Sequence, residues 1–125
     1  MPATTTIRIP RAVTKDADPA RAARELHAAL SVERSSLVIT FAATGSALDG
    51  LGKALGDCFP GVPVIGCTTA GEITPSGYEE GSIVAISLPA DHFIAAVGTI
   101  DGLAECEMAA AEGLVGSLLD RLRRQ

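Results

Sequence analysis

The sequence predicts an α/β fold: a mixed sheet of about five strands with three helices, containing a parallel βαβ unit. Three observations support this prediction. The run SLVITFAA, from Ser36 to Ala43, is apolar and rich in β-branched residues, which is typical of a strand covered on both faces. An apolar stripe at helical spacing follows from Leu48 to Phe59, and a second short apolar run spans Val62 to Gly66. Because the connections are short, we expect these two strands to lie parallel with a right-handed crossover.

The first elements of the chain are predicted from local signals. Thr4 to Pro10 is predicted as the first strand, with its isoleucines on one face. Asp18 and Pro19 then open a helix, the acid as N-cap and the proline at the first helical position. The buried stripe of this helix is expected to be Ala23, Leu26 and Leu30.

The second half of the chain is predicted to contain a hairpin and a long helix. Ser82 to Leu88 and Phe93 to Ile100 are expected to pair as antiparallel strands around a four-residue turn. A helix is predicted from about Leu103 to Arg124, with an apolar stripe along one side. No strand follows this helix, so we expect an open sheet edge, which a partner or further chain would normally cover.

Composition and charge restrict the classes of function. The chain has 125 residues, the size of one domain, and only 3 % aromatic residues, which does not suit a large aromatic-lined cavity. The net charge is −5, and the basic cluster Arg121, Arg123 and Arg124 is better explained by complementing a helix dipole than by binding nucleic acid. No apolar run reaches the roughly 18 residues of a membrane span. The three cysteines lack metal-type spacing, which favours reduced thiols in the cytoplasm.

Candidate functional residues follow the two predicted parallel strands. The loops at their carboxyl ends are expected to lie side by side at one edge of the sheet, where α/β proteins often bind ligands. These loops offer hydroxyls, backbone amides, one thiol and one carboxylate with little side-chain bulk, which suits a small polar ligand such as an amino acid or another carboxylate. A turn and helix cap is the competing explanation for the first loop. The candidate ligand-binding residues are Thr44, Gly45 and Ser46 in the first loop, and Gly66, Cys67, Thr68, Thr69, Gly71 and Glu72 in the second.

Several of these residues have alternative interpretations. Cys67 could act as a nucleophile at a helix start, but neither His27 nor His92 is placed near it by local spacing, and a small semi-buried thiol is the simpler explanation. Glu72 could hold a ligand's ammonium group or bond to its own loop, and the two are equally favoured. The histidines could ligate haem, a minority interpretation because no aromatic pocket or attachment motif accompanies them. No catalytic residue and no metal site is predicted.

The segment VIGCTTAGEITPSGYEEGSIVAISL, from Val64 to Leu88, resembles the N-terminal part of a FIST domain (F-box and intracellular signal transduction). The matching features are a strand that ends in Gly66-Cys67, threonines, an Ala-Gly-Glu triplet ending at Glu72, the pair Gly77-Tyr78, and a following apolar strand. The upstream strand and helix also resemble the family, so the similarity extends over most of the chain.

The resemblance implies a cytoplasmic sensory domain that binds a small ligand for signal transduction. Family domains occur alone or joined to signalling modules such as histidine kinases; some members bind haem and respond to nitric oxide. A haem-based nitric oxide sensor is therefore the alternative function, and a Cys-dependent enzyme a less favoured one. Residues 1–125 are expected to form a single domain resembling the N-terminal part of a longer FIST domain, with a homodimer possible and no nucleic-acid or membrane partner.

Overall fold

The computed structural model describes residues 3–30, 34–44 and 48–125 and has an α/β architecture. It divides into two compact units, one running to Phe93 and the other from Ile94 to Gln125. Three helices, a mixed four-stranded sheet and a small two-stranded sheet are present among the described residues, which confirms the predicted fold class. The elements are β1 Arg11–Thr14, α1 Pro19–Leu30, β2 Ser35–Ala43, α2 Leu48–Cys58, β3 Val64–Thr69, β4 Glu72–Thr74, β5 Gly77–Glu79, β6 Ile83–Pro89 and α3 Met108–Arg123.

The main sheet has the strand order β1-β6-β2-β3. The β2–β3 pair is parallel, from Val38 opposite Val64 to Ala43 opposite Thr69, as the βαβ prediction requires. Strand β6 pairs antiparallel with both β1 and β2, so the sheet is mixed. The carboxyl ends of β2 and β3 therefore lie at the same edge of the sheet.

The core of the first unit lies between one face of this sheet and helices α1 and α2. Side chains alternate along each strand, so every second residue of β2 and β6 faces the helices. Asp18 caps α1 as predicted, because its Oδ2 accepts a hydrogen bond from the backbone N–H of Arg21 at 2.9 Å. The buried apolar residues that form the core are Ala12, Ala22, Ala23, Leu26, Leu30, Val38, Ala42, Leu51, Leu55, Phe59, Ile83 and Ala85.

The prediction of a first strand from Thr4 to Pro10 is wrong. The observed strand begins at Arg11, one residue after the predicted strand ends. The side chains of Ile7 and Ile9 are 47 % and 43 % exposed. The carbonyl of Pro10 still accepts a hydrogen bond from Ser87 N at 3.0 Å, but a proline has no N–H to return to β6. The ladder with β6 therefore ends at the proline.

The predicted hairpin between Ser82–Leu88 and Phe93–Ile100 is also wrong. Strand β6 is formed, but its two edges are already occupied by β1 and β2, so no edge remains for a following strand. After β6 the chain turns, with the N–H of Phe93 bonded to Pro89 O at 3.0 Å, and residues 94–100 form no strand.

The second unit contains α3 and the irregular segment that precedes it. The predicted helix is present from Met108, after a single 3-10 turn at Leu103–Glu105. Its last turn is tied to the segment by two side chains: Arg121 Nη1 donates to Val97 O at 2.7 Å and Gln125 Nε2 donates to Ala95 O at 2.9 Å. No residue of α3 is fully buried. Among the described residues, no helix has the length and apolar character needed to cross a membrane.

Candidate functional site

The rim of the candidate site is where β2 and β3 end together. The backbone N–H of Thr44 donates to Thr69 O at 3.3 Å, which fixes the residue after β2 against the last residue of β3. The sequence predicted this juxtaposition from the βαβ pattern, and it is confirmed for Thr44. Gly45 and Ser46 lie outside the described residues.

The second predicted loop is shorter than expected. Strand β3 does not stop at Gly66 but continues through Thr69, so Cys67 and Thr68 are strand residues with exposed side chains. The placement of Cys67 at a helix start is therefore wrong. The chain turns at residues 70–71 and forms the antiparallel hairpin β4–β5, which the sequence analysis missed.

Gly66 is required by its neighbour on β2. A Cβ atom at this position would lie 2.2 Å from Thr40 Oγ1 and 2.4 Å from the carbonyl oxygen of Thr40. The Thr40 hydroxyl uses the vacant space to donate to Ile65 O at 3.3 Å. Packing within the sheet thus accounts for this glycine without a ligand.

A cleft of about 260 Å³ lies on the helix-covered side of the sheet, between α2 and β3; we call it the helix-side cleft. Its wall combines apolar side chains of α2 and β2 with the small residues of β3, and none of the described side chains that line it is charged. The lining residues are Thr40, Ala42, Leu51, Gly52, Leu55, Val64, Ile65, Gly66, Cys67 and Thr68.

A second cleft, of about 320 Å³, lies on the opposite face of the sheet beside the β4–β5 hairpin; we call it the hairpin cleft. It is mostly apolar, with Thr69 and Glu72 as its polar members. Its lining residues are Phe41, Thr69, Gly71, Glu72, Ile73, Val84 and Ile86. The candidate residues of the second loop are therefore divided between two clefts: Gly66, Cys67 and Thr68 line the first, and Thr69, Gly71 and Glu72 line the second. The side chains of Thr68 and Thr69 face opposite sides of the sheet because side chains alternate along a strand.

Glu72 is the central polar group of the hairpin cleft. It is only 2 % exposed and accepts three hydrogen bonds, from Thr69 Oγ1 at 2.6 Å, Ser82 Oγ at 2.9 Å and Ser82 N at 3.1 Å. The Thr69 hydroxyl, followed by the bonds from Ser82, stabilises the carboxylate and lowers the pKa of Glu72 below its ordinary value, although burial acts in the opposite direction. The carboxylate thus joins the end of β3 to the start of β6.

Gly71 leaves room for the ring of Tyr78. A Cβ atom on Gly71 would lie 2.1 Å from the Tyr78 hydroxyl oxygen and 2.4 Å from ring carbons. Tyr78 stands opposite Ile73 in the hairpin, and the two side chains are 67 % and 83 % exposed. One sequence signal pointed to this contact, the alternation of residues on either side of a Gly-containing turn.

The two histidines lie at the other end of the strands. The imidazole of His27, on α1, contacts the Phe59 ring edge-on with centroids 4.9 Å apart, next to the end of α2. His92 follows β6, whose last residue, Pro89, pairs with Ser35 at the start of β2. Among the described residues, no group of three or more His, Cys, Asp or Glu side chains is arranged to hold a metal ion.

The fold and the site together define an α/β domain in which two parallel strands end in small, uncharged residues at one edge of a mixed sheet. The sequence model of the FIST N domain matches residues 36–124, which is most of the chain. The chain therefore belongs to the FIST N domain family, whose members are associated with signal transduction. No curated protein and no solved structure matches the chain.

Proposed function

We propose that the chain is a non-catalytic, cytoplasmic sensory domain that binds a small polar ligand in the helix-side cleft and reports it to a histidine kinase or another signalling module. The observation that carries the proposal is the cleft itself, which lies beside the strand ends that the sequence marked as a binding rim. Family membership supports the signalling role, and three free cysteines among the described residues favour a reducing compartment.

The size and chemistry of the cleft favour an amino acid or another small carboxylate. Ligand pockets start at about 300 Å³, so a cleft of about 260 Å³ suits a small molecule. Its apolar wall, including Leu51 and Leu55, would contact a short side chain. The exposed hydroxyl of Thr68 would bond to the polar end of the ligand, since none of the described side chains that line the cleft is charged.

The other candidate residues have a supporting role in this proposal. The oxygens of Glu72 already accept three hydrogen bonds from Thr69 and Ser82, so the carboxylate orders the rim rather than binding an ammonium group directly. Thr44 stands at the open end of the same rim, bonded through its backbone to Thr69.

The distance between the histidines and the cysteine of the rim supports a non-catalytic role. A catalytic thiol needs a base within hydrogen-bond reach. His27 and His92 lie at the amino ends of β2 and β3, whereas Cys67 lies towards the carboxyl end of β3.

A thermal-shift screen with amino acids and small carboxylates at millimolar concentration tests the proposal, with calorimetry on any hit. A ligand that binds the native state raises Tm by mass action. The shift should be reduced in Thr68→Val and kept in Thr99→Val, a matched substitution of an exposed threonine in the second unit. A screen without any stabilising ligand, or equal shifts in both variants, would contradict the proposal.

A further inference from the structure

The outer edge of β3 carries backbone groups without a strand partner. Val38 N donates to Pro63 O at 3.0 Å and Thr44 N donates to Thr69 O at 3.3 Å, so the odd-numbered residues of β3 face β2. The even-numbered residues direct their N–H and C=O groups to the opposite side. No strand of the described part of the chain pairs there, because β3 is the last strand of the sheet. The residues with outward backbone groups are Val64, Gly66 and Thr68.

This edge has none of the features that usually protect an edge strand. Strand β3 contains no charged residue and no proline, and its register with β2 is continuous, without a bulge. Four of its six residues are exposed. The other edge strand, β1, differs: it contains the exposed Arg11, and the exposed Lys15 follows it. An unprotected edge of this kind is a template for strand addition.

The helix beside this edge carries two exposed glycines that the described residues do not explain. Gly52 and Gly56 lie one turn apart on one side of α2, and a Cβ atom on either would meet nothing within 4 Å. By contrast, Gly50 sits against Pro19, whose Cγ would be 3.2 Å from an added Cβ. Each glycine inside a helix lowers stability by about 1 kcal/mol relative to alanine. Close packing against another helix would explain why glycine occupies these two positions.

We propose that β3 pairs antiparallel with β3 of a second copy of this chain, across a two-fold axis at Gly66. In this register Gly66 faces Gly66 of the other copy, and Val64 faces Thr68 of the other copy on both sides. All outward N–H and C=O groups of the strand then have partners, and no like charges meet. The second copy is favoured as the occupant because the edge is complementary to itself.

The helices fit the same arrangement. With strands about 4.8 Å apart, two α2 helices lying over their own β2–β3 pairs would be separated by about 10 Å, which is a normal helix-packing distance. The helices would run antiparallel, with the glycine faces towards each other. Lys53 and Asp57, next to these glycines, already form an ion pair within α2, with Nζ and Oδ2 2.9 Å apart, so neither brings an unpaired charge to the contact.

This interface does not depend on the proposed ligand. The second α2 helix would cover the open side of the helix-side cleft, since Gly52 and Gly66 both line that cleft. A dimer would still form without ligand, and a ligand-binding monomer would leave the sensory proposal intact. The two proposals therefore fail separately.

The first test measures the mass of the ligand-free chain by sedimentation equilibrium over a range of concentrations. A dimer has twice the 12.7 kDa of the chain. Gly56→Gln should weaken the dimer about tenfold or more, because a side chain is inserted into a close contact. The same substitution should leave the urea midpoint of the dilute monomer unchanged or higher, because glycine is a poor helix former.

The matched control is Gly116→Gln. Gly116 is an exposed helical glycine of α3 with nothing within 4 Å of an added Cβ, and its substitution should leave the dimer unaffected. A monomer at every concentration would overturn the proposal. Equal effects of the two glutamine substitutions would also overturn it.

A second test fixes the register by disulfide formation. In the proposed pairing, Ile65 of one copy stands opposite Cys67 of the other as a pair without mutual hydrogen bonds, with Cα atoms about 4.5 Å apart, within disulfide range. In a chain with Cys58→Ser and Cys106→Ser, adding Ile65→Cys should give a dimer band on a non-reducing gel. Ile73→Cys, at an exposed position of the hairpin, is the control and should give no such band. Failure of Ile65→Cys to crosslink, or equal crosslinking by the control, would overturn this register.

Discussion

Replacing Glu72 tests whether its carboxylate holds the rim together. The side chain is buried and joins the end of β3, through Thr69, to the start of β6, through Ser82. Two substitutions separate shape from charge. Glu72→Gln keeps the shape and loses the charge, whereas Glu72→Ala removes all three hydrogen bonds.

The expected magnitudes follow from the donors that each substitution leaves behind. In Glu72→Ala, the hydroxyl and the N–H of the fully buried Ser82 lose their acceptor. At roughly 1–3 kcal/mol for each buried unpaired donor, the free energy of unfolding should fall by about 3–5 kcal/mol. In Glu72→Gln, the amide oxygen can accept from Ser82, and the amide N–H can donate to Thr69 once that hydroxyl rotates. Only the charge-assisted part of the bonding is lost, about 1–2 kcal/mol.

The dependence on pH has a definite sign. The pKa of Glu72 is lower in the folded chain than its ordinary value of 4.5, mainly because of the Thr69 hydroxyl. The carboxylate therefore stabilises the fold fully above that ordinary value, and the contribution is lost as the pH falls through the folded pKa. The difference between the wild-type chain and Glu72→Gln should be largest at neutral pH and should shrink in acid.

Urea unfolding followed by far-ultraviolet circular dichroism is the appropriate assay, since the chain has no tryptophan. Measurements at pH 7 and at several pH values below 4.5 give the loss in the free energy of unfolding for each variant and its dependence on pH. Glu80→Gln, at an exposed position near the same hairpin, is the control and should change stability by less than about 0.5 kcal/mol. Equal losses in the Gln and Ala variants, or a Glu72→Gln deficit that stays constant in acid, would refute the reasoning.

Three further substitutions test local packing by the same urea assay. Gly66→Ala should cost about 3 kcal/mol or more because the new methyl group meets the backbone carbonyl of Thr40, which cannot move aside; near-neutrality would contradict this. Gly71→Ala should cost less than about 1 kcal/mol, because the exposed Tyr78 ring can swing away, and the cost should vanish in a Tyr78→Ala background. Asp18→Ala should cost about 1 kcal/mol through loss of the N-cap of α1, and Asp18→Asn should restore most of it.

The parts of the fold that the sequence predicted are those determined by local pattern. The β2–α2–β3 unit was predicted correctly because its sequence shows a continuous apolar run, an apolar stripe at helical spacing and short loops. Together these features are compatible with only one arrangement of the two strands, a parallel pair. The Asp18 cap was found because its signal lies within a few residues of the helix start. The wrong strands, Thr4–Pro10 and Phe93–Ile100, have apolar patterns typical of strands. Phe93–Ile100 cannot pair with β6, whose two edges are taken by β1 and β2, and Thr4–Pro10 does not extend the β1–β6 ladder because Pro10 has no N–H to donate.

In the candidate site, too, only the features that follow from local sequence pattern and topology were predictable. The common edge of β2 and β3 followed from topology, so the contact of Thr44 with Thr69 was predictable. The bond between Glu72 and Ser82 joins residues ten positions apart across an unpredicted hairpin, so spacing could not reveal it. The division of the candidate residues between two clefts depends on where β3 ends. Once the strand extends to Thr69, alternation sends neighbouring residues to opposite faces.

The structure also separates the candidate residues that packing explains from those that it does not. Gly66 is required by the backbone of Thr40, and Gly71 leaves room for the Tyr78 ring; both glycines are explained without a ligand. Thr69 and Glu72 satisfy each other and Ser82. Packing does not explain two small, uncharged side chains near the end of β3, those of Cys67 and Thr68. Both are exposed, and neither takes part in a described side-chain hydrogen bond. Both residues line the helix-side cleft, and Thr68 also directs its backbone groups to the unpaired edge, so a ligand or a second copy of the chain gives them a role.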